Sequence, residues 1–521
     1  MSINYSNYYR QYLAGNYTAE DFYYGPSKEN ARPRGPWPQP SPDHPFGAFA
    51  EVLSIPEEER KDWSRYVARK YVWLLLTRWP MALWYCLTHP HLKPMSDQRF
   101  VYFLSETLYS RYLMYVPKEQ MAAYEDYFPG LCDLDGDYYK ADFRIMDCIA
   151  PHTYPGMYAA PSIVLFHRDP TTKKLSPLGI YLHEQKICLS PQDGDAWTLA
   201  KYFVMQGASH RVNLVTHAVL HFPFDPINAI TKTLLPKKHL LFKLLFPHLY
   251  LELPVNNAVL EGPASLINRT SWTVYSPFVA KGKYIRNLLP VGFAGVPEDH
   301  EPQSFLPYEF PIVPTFIDPK TREIKSEYAW LSFFQFHFAY YKTIYNFVKQ
   351  VIDKLLAAPL GNPDLYYVSL WADQIAQWVP GFPDSEKIKQ PGVLTDVVAS
   401  IIWDLAVGHP TDHEQIHRIR PDELVFRLRV PPPKTIDWKG FDQTKLNKRR
   451  DFFKSWLTDK LFYEPHNVTW LKDVDYGFED EHLQGLNAQF LHELRAVEQD
   501  LERREVPLFA KLEDLACSIQ Y

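Results

Sequence analysis

Hydrophobic positions recur with helical spacing over most of this chain and gather into short dense runs in one region only. From Glu57 to Tyr127 charged and aromatic faces alternate as they do on helices. Trp197 to Phe222 reads as a long helix stopped by Pro223, and Tyr328 to Ala357 as one with aromatics on several sides. Val393 to Val407 is nearly all apolar, which predicts a central helix, whereas Asp442–Leu461 and Asp480–Arg503 are charged and amphipathic. Ala159–Phe166 and Leu178–Leu182 are short apolar runs beside turn residues and read as strands. The pattern is mainly α with a few small β-strands. Residues 26–47 are rich in proline, so residues 1–60 are expected to form a Pro/Tyr-rich arm before one large domain over 61–521.

Composition narrows the class. With 46% hydrophobic and 22% charged residues the chain is globular, and a net charge of −6 gives no global basic field for nucleic acid. Five scattered cysteines without a CxxC disfavour a disulfide framework or a zinc-thiolate site. The start has no apolar signal region, so a cytoplasmic location is expected. Tyr71–Leu87 is the most apolar stretch, but it carries Arg78 and Pro80 and is too short to span a bilayer. It reads as a buried or lid helix, with peripheral contact at a membrane as the alternative.

Histidines carry the chemistry. His217/His221, His409/His413 and His413/His417 are all spaced i, i+4, which on a helix stacks two imidazoles on one face where they can grip one metal. With 19 His in 521 residues, chance gives about 0.7 such pairs. Placement adds weight, because the His217 and His409 pairs each follow a long apolar segment, where a buried imidazole needs a partner. No nucleotide-binding glycine loop, GxSxG or HExxH stands in a usable context, and Asp133–Asp137 reads as a turn rather than a calcium loop.

These segments resemble the lipoxygenase family. Trp197-Thr-Leu-Ala-Lys201 is similar to the W-x-x-A-K segment that opens the family's first ligand helix, with His217 twenty residues after the Trp. Leu235–His248, with Lys243-Leu-Leu and a closing Pro-His, is similar to the stretch that follows, and places the second ligand on His221. Tyr158-Ala-Ala-Pro161 and Asp142–Asp147 resemble upstream segments. Ile401-Ile-Trp403 precedes His409 as a similar run precedes the family's third His, and its fourth ligand falls on His413, leaving His417 outside. Arg420-Pro-Asp, Pro431–Pro433 and the terminal Ser518-Ile-Gln-Tyr521 follow in order, so the resemblance covers residues 140–521.

The resemblance implies a lipoxygenase catalytic-domain fold without the family's N-terminal β-barrel. It implies one non-haem iron, with manganese as the alternative, held by His217, His221, His409, His413 and the Tyr521 carboxylate. A metal-bound hydroxide rather than a side-chain base would take a hydrogen atom from a polyunsaturated lipid, and O2 would add to the radical. Asn213 and Gln415 are the candidates for supporting polar contacts, and Val259 and Leu260 fall at the pocket position tied to stereochemistry. Departures are the three residues between His217 and His221, as in fungal and manganese lipoxygenases, the terminal Tyr521, and Pro410, which should kink or break its helix. The departures keep two other readings open: the same metal site acting on another substrate or as a hydroperoxide isomerase, and a lipid-binding pseudoenzyme.

Overall fold

The computed structural model describes residues 57–520 apart from 90, 222, 257–275, 286–287, 289–307, 358–362, 377–378 and 466–467. Val259, Leu260, Tyr521 and the arm before Glu57 lie outside the described residues. Helices dominate. After a helical stretch over Glu57–Val67 come α1 (Ala68–Thr88) and α2 (Asp97–Glu106). Ser96 caps α2 by accepting from the Arg99 amide, one of the donors that a helix start leaves unmet. Glu59 is buried and pairs with Lys232, so the packed body includes the helix that begins at Glu57.

The strands form one antiparallel sheet in simple sequence order: β1 (Met114–Val116), β2 (Asp137–Asp142), β3 (Ser162–Arg168), β4 (Leu175–Leu182) and β5 (Ile187–Leu189). β4 contains Leu178–Leu182, and β3 takes in Ser162–Phe166 of the run expected as a strand over Ala159–Phe166, whose first three residues lie outside it. β3 starts with five buried residues in a row, a pattern that fits a strand packed on both faces.

α3 (Asp195–His210) leads on through a wider π-helical turn, Arg211–Thr216, into His217–Val219. Gly207 lets α3 approach the sheet side: a Cβ there would stand 2.6 Å from Phe143. Then follow α4 (Phe224–Leu234), α5 (Ser332–Leu356), α6 (Pro363–Ala376) and α7 (Val393–Trp403). α7 passes through a second π turn, Asp404–Gly408, into α8 (His409–Arg418). α9 (Arg449–Thr458) and α10 (Glu481–Arg503) complete the described helices named here, and Asp480 caps α10 through the Leu483 amide.

Val397, Val398, Ala399, Ile401 and Ile402 are fully buried, which makes α7 the central helix its composition predicts. The first long helix is interrupted where periodicity reads it as continuous to Phe222. The sequence pattern cannot register a π turn, because the apolar positions continue through it.

Of the kink or break expected at Pro410, the break is absent, since α8 runs on from His409 to Arg418. The His409 amide donates five residues back to Asp404, so the hydrogen-bond register slips just before the proline. Such a slip leaves a carbonyl without its usual donor, and the N–H that proline lacks is not missed there. Tyr71–Leu87 corrects a second expectation. α1 buries only one side, and its other side is exposed.

Candidate metal centre

Both imidazole pairs sit directly after a π turn. The His217 amide donates to Val212 O and the His409 amide to Asp404 O, each five residues back. The wider turn rotates the following residues relative to a regular helix, and here it aims both histidine pairs at one another. His409 and His413 lie on regular helix in α8, one turn apart. His221 lies just beyond the first helix, in a tightened turn where its amide donates to Ala218 O at 3.1 Å.

The four imidazoles converge. His217 Nε2 is 2.9 Å from His221 Nε2 and 3.2 Å from His413 Nε2. The His409 ring centroid is 4.9 Å from that of His217, 4.7 Å from that of His221 and 4.5 Å from that of His413. Burial pushes the His217, His409 and His413 rings well below the ordinary histidine pKa, and the adjoining imidazoles push further. Burial brings His221 down to about 4, against an opposing bond from Asn256. The rings are therefore neutral at physiological pH, as metal ligation requires.

One tautomer is fixed by its partners. Asn256 Nδ2 donates to Asp225 Oδ1 at 2.6 Å, so Asn256 Oδ1 faces His221. His221 Nδ1–H donates to that oxygen at 2.6 Å, which leaves the Nε2 lone pair aimed into the cluster. Ligands about 2.1 Å from a first-row ion in adjacent coordination positions stand about 3.0 Å apart, which matches the two Nε2 separations. Four converging neutral imidazoles fit iron or manganese. His409, His413 and His221 are buried, while His217 keeps part of its residue surface accessible.

The 3-10 segment Leu108–Tyr112 clamps both histidine helices. The Tyr112 hydroxyl bonds the Thr216 hydroxyl at 2.7 Å, next to His217, and Tyr109 meets the Ser209 hydroxyl at 3.2 Å. Arg111 forms a two-pronged ion pair with the buried Asp412, next to His413. These contacts cross a hundred residues or more, and no spacing rule reveals them. Asn256 and Asp225 were missed for the same reason.

Asn213 and Gln415 bond elsewhere. Asn213 Nδ2 donates to Ser209 O and Gln415 Nε2 to Leu508 O, so neither bond reaches the imidazoles. His417 turns away to Asp459 and Lys460. The chain segment leading to Tyr521 is buried through Gln520, where Ser518 Oγ donates to Tyr250 O and His248 meets Cys517 O.

The chain matches no protein-family model. A 140-residue stretch is 31% identical to polyunsaturated fatty acid lipoxygenase ALOX15 of Oryctolagus cuniculus, covering 25% of this chain and 21% of that protein. This match thus spans about a fifth of the curated relative. The manganese lipoxygenase of Gaeumannomyces graminis superposes with a TM-score of 0.63 at 16% identity, over 95% of this chain and 93% of that one. A lipoxygenase solved in complex with arachidonate superposes at 0.68 with 16% identity, over 98% and 81% of the two chains. The architecture is the lipoxygenase catalytic-domain fold, as the resemblance implied.

Proposed function

We propose that this chain is a lipoxygenase-family non-haem metal dioxygenase that adds O2 to a polyunsaturated fatty acid or a related lipid. The observation that carries this reading is the meeting of His217, His221, His409 and His413, with the His221 Nε2 lone pair directed into the group by Asn256 and Asp225. By the resemblance, the Tyr521 carboxylate, which lies outside the described residues, would complete the set as its one anionic donor. Iron is the expected ion, with manganese as the alternative. When bound, such an ion would supply the one-electron oxidation that prepares a doubly activated CH2 group for addition of O2.

The chain's own residues prepare that reaction. Asn256 holds the proton on His221 Nδ1, so the ring cannot turn its N–H toward the ion. Arg111 and Tyr112 tie α8 and the His217 turn to one short segment, which fixes the distance between the two imidazole pairs. Burial of His221, His409 and His413 keeps bulk water away from those rings. No ionised side chain among these ligands is asked to act as a base, consistent with depressed histidine pKa values.

Elemental analysis of the purified chain, followed by oxygen uptake with a panel of unsaturated fatty acids, tests the reading. One equivalent of iron or manganese and uptake confined to fatty acids with interrupted double bonds are expected. A chain that purifies empty and cannot be loaded is a lipid-binding module instead. A loaded chain that consumes hydroperoxides but no O2 is an isomerase.

A further inference from the structure

α1 presents an apolar outer face of unusual size. Val72, Trp73, Leu76, Trp79, Met81, Leu83, Trp84 and Leu87 are all exposed, with Leu76 at 68% and Trp84 at 69%. The opposite side is packed: Leu74 and Ala82 are 2% and 0% exposed against Trp456, Leu457 and Leu461. Apart from Met81 the exposed positions fall within one band of the helix circumference, so they form one stripe along the axis. Arg65 and Arg69 extend the stripe at its start and are exposed. From Arg65 to Leu87 the stripe runs about 33 Å, far more than an isolated surface leucine.

A cationic cavity adjoins this face. Trp79 packs edge-on against Phe453 of α9, with ring centroids 5.9 Å apart. Phe453 also lines a cavity of about 450 Å³ together with Tyr154, Met157, Arg427, Arg450 and Lys454. Three cations, Arg427, Arg450 and Lys454, line it. Asp451 is shared between Arg427 and Arg429. Burial lowers the Lys454 ammonium to about 8, and Arg427 and Arg450 lower it further. Lys445, Lys448, Arg449 and Arg450 stand exposed at the start of α9. On a chain of net charge −6 this is a local concentration of basic groups beside an apolar stripe.

We propose that α1 and the Arg427–Arg450–Lys454 cavity form a docking surface for an anionic phospholipid bilayer, with a phosphate-bearing headgroup in the cavity and the Trp/Leu stripe in the acyl boundary. Charge complementarity selects this occupant. A headgroup phosphate meets the three cations, while tryptophans suit the interfacial layer. The first 52 residues carry four basic and five acidic side chains and offer no matching charge excess. α1 lies along the surface rather than across it, because its inner face is committed to α9 and Arg78 is paired with Glu464. The inference stands independently of what the metal centre does.

The test is flotation of the full chain with vesicles of phosphatidylcholine alone and of phosphatidylcholine with phosphatidylserine. Preferential binding to the serine-containing vesicles, weakened by salt, is expected. Arg450→Gln should lower that affinity about fivefold and lower binding to phosphatidylcholine, whose phosphate is balanced by its choline, by less. Leu76→Gln with Trp84→Gln should reduce binding to both vesicles at least tenfold, with an unchanged circular dichroism spectrum. Failure to float with either vesicle overturns the proposal, as does unaltered binding of the double variant. Dissociation of an oligomer by the double variant would assign the stripe to a second copy. Newly protease-sensitive N-terminal residues in that variant would assign it to the arm, and either result also overturns the proposal.

Discussion

His221 Nδ1 lies 2.6 Å from Asn256 Oδ1, and the two residues are thirty-five positions apart. The contact joins the turn after the first histidine helix to a short buried helix, Glu252–Asn256, that comparison of spacings does not single out. Asp225 holds the Asn256 amide in the orientation that makes its oxygen the acceptor.

Asn256→Ala therefore frees the His221 ring to change tautomer. Metal affinity should drop roughly 10- to 100-fold, the usual cost of losing the partner that orients a ligating imidazole. Titration of the chelated protein with iron(II) or manganese(II) measures this. Affinity equal to wild type would show that the His221 orientation does not depend on Asn256.

Arg111 and Asp412 give a second expectation. The Asp412 side chain is fully buried, and burial raises its carboxyl to about 6 even with Arg111 opposing. Arg111→Met leaves that carboxylate without its cation and should cost about 3–5 kcal/mol in urea denaturation. Arg111→Met combined with Asp412→Leu removes both partners and should recover most of the loss. If the double variant is no more stable than the single one, the pair is not what places the Leu108–Tyr112 segment.

The His417 side chain is held by Asp459 at 2.8 Å, with Lys460 Nζ 3.3 Å away. His417→Ala should keep full metal content, and His413→Ala should lose most of it. Elemental analysis of the two variants decides. Equal loss in both would shift the ligand register by one turn.

Much of the architecture is visible in the residue pattern, for reasons that differ by element. α7 is read as central because its apolar residues are continuous, and β3 and β4 because their short runs end in turns. The clustering of His217, His221, His409 and His413 is visible through local i, i+4 spacing and the long apolar segments before each pair. The π turns are not visible, since a slipped hydrogen bond changes no side-chain chemistry. Asn256 and Arg111 are ordinary polar residues until the fold sets them beside His221 and Asp412. The outer face of α1 was ambiguous for a related reason: a run apolar on all sides has the same composition whether it is covered or not.

Acid should destabilise this protein before its ordinary, exposed carboxylates are titrated. His210, His221 and His248 are each brought down to about 4 by burial, and His217, His337, His409 and His413 lie well below their ordinary value. In the unfolded chain each imidazole takes a proton near pH 6.5. A depressed folded pKa means that the stabilisation is complete above pH 6.5 and is lost as pH falls through 6.5 toward 4. Asp404, Glu252 and Asp412 act in the opposite sense, because burial raises their carboxyls to about 8, about 8 and about 6. With His239 there are eight lowered imidazoles, and they outnumber the six raised carboxyls, Glu106, Glu414 and Asp514 included, and the raised His417, so the unfolded chain binds more protons overall. A bound metal leaves the sign unchanged, since protons compete with it for the four ligand rings. Unfolding free energy measured in urea between about pH 6.5 and about pH 5 should fall by more than about 1.4 kcal/mol per pH unit, the slope of a single proton. Asp97, Asp422 and Asp451, whose paired carboxyls are lowered, contribute only below that window. A flat profile from pH 6.5 to pH 5 would mean that the buried rings are protonated in the folded chain, and the neutral imidazole cluster would have to be given up.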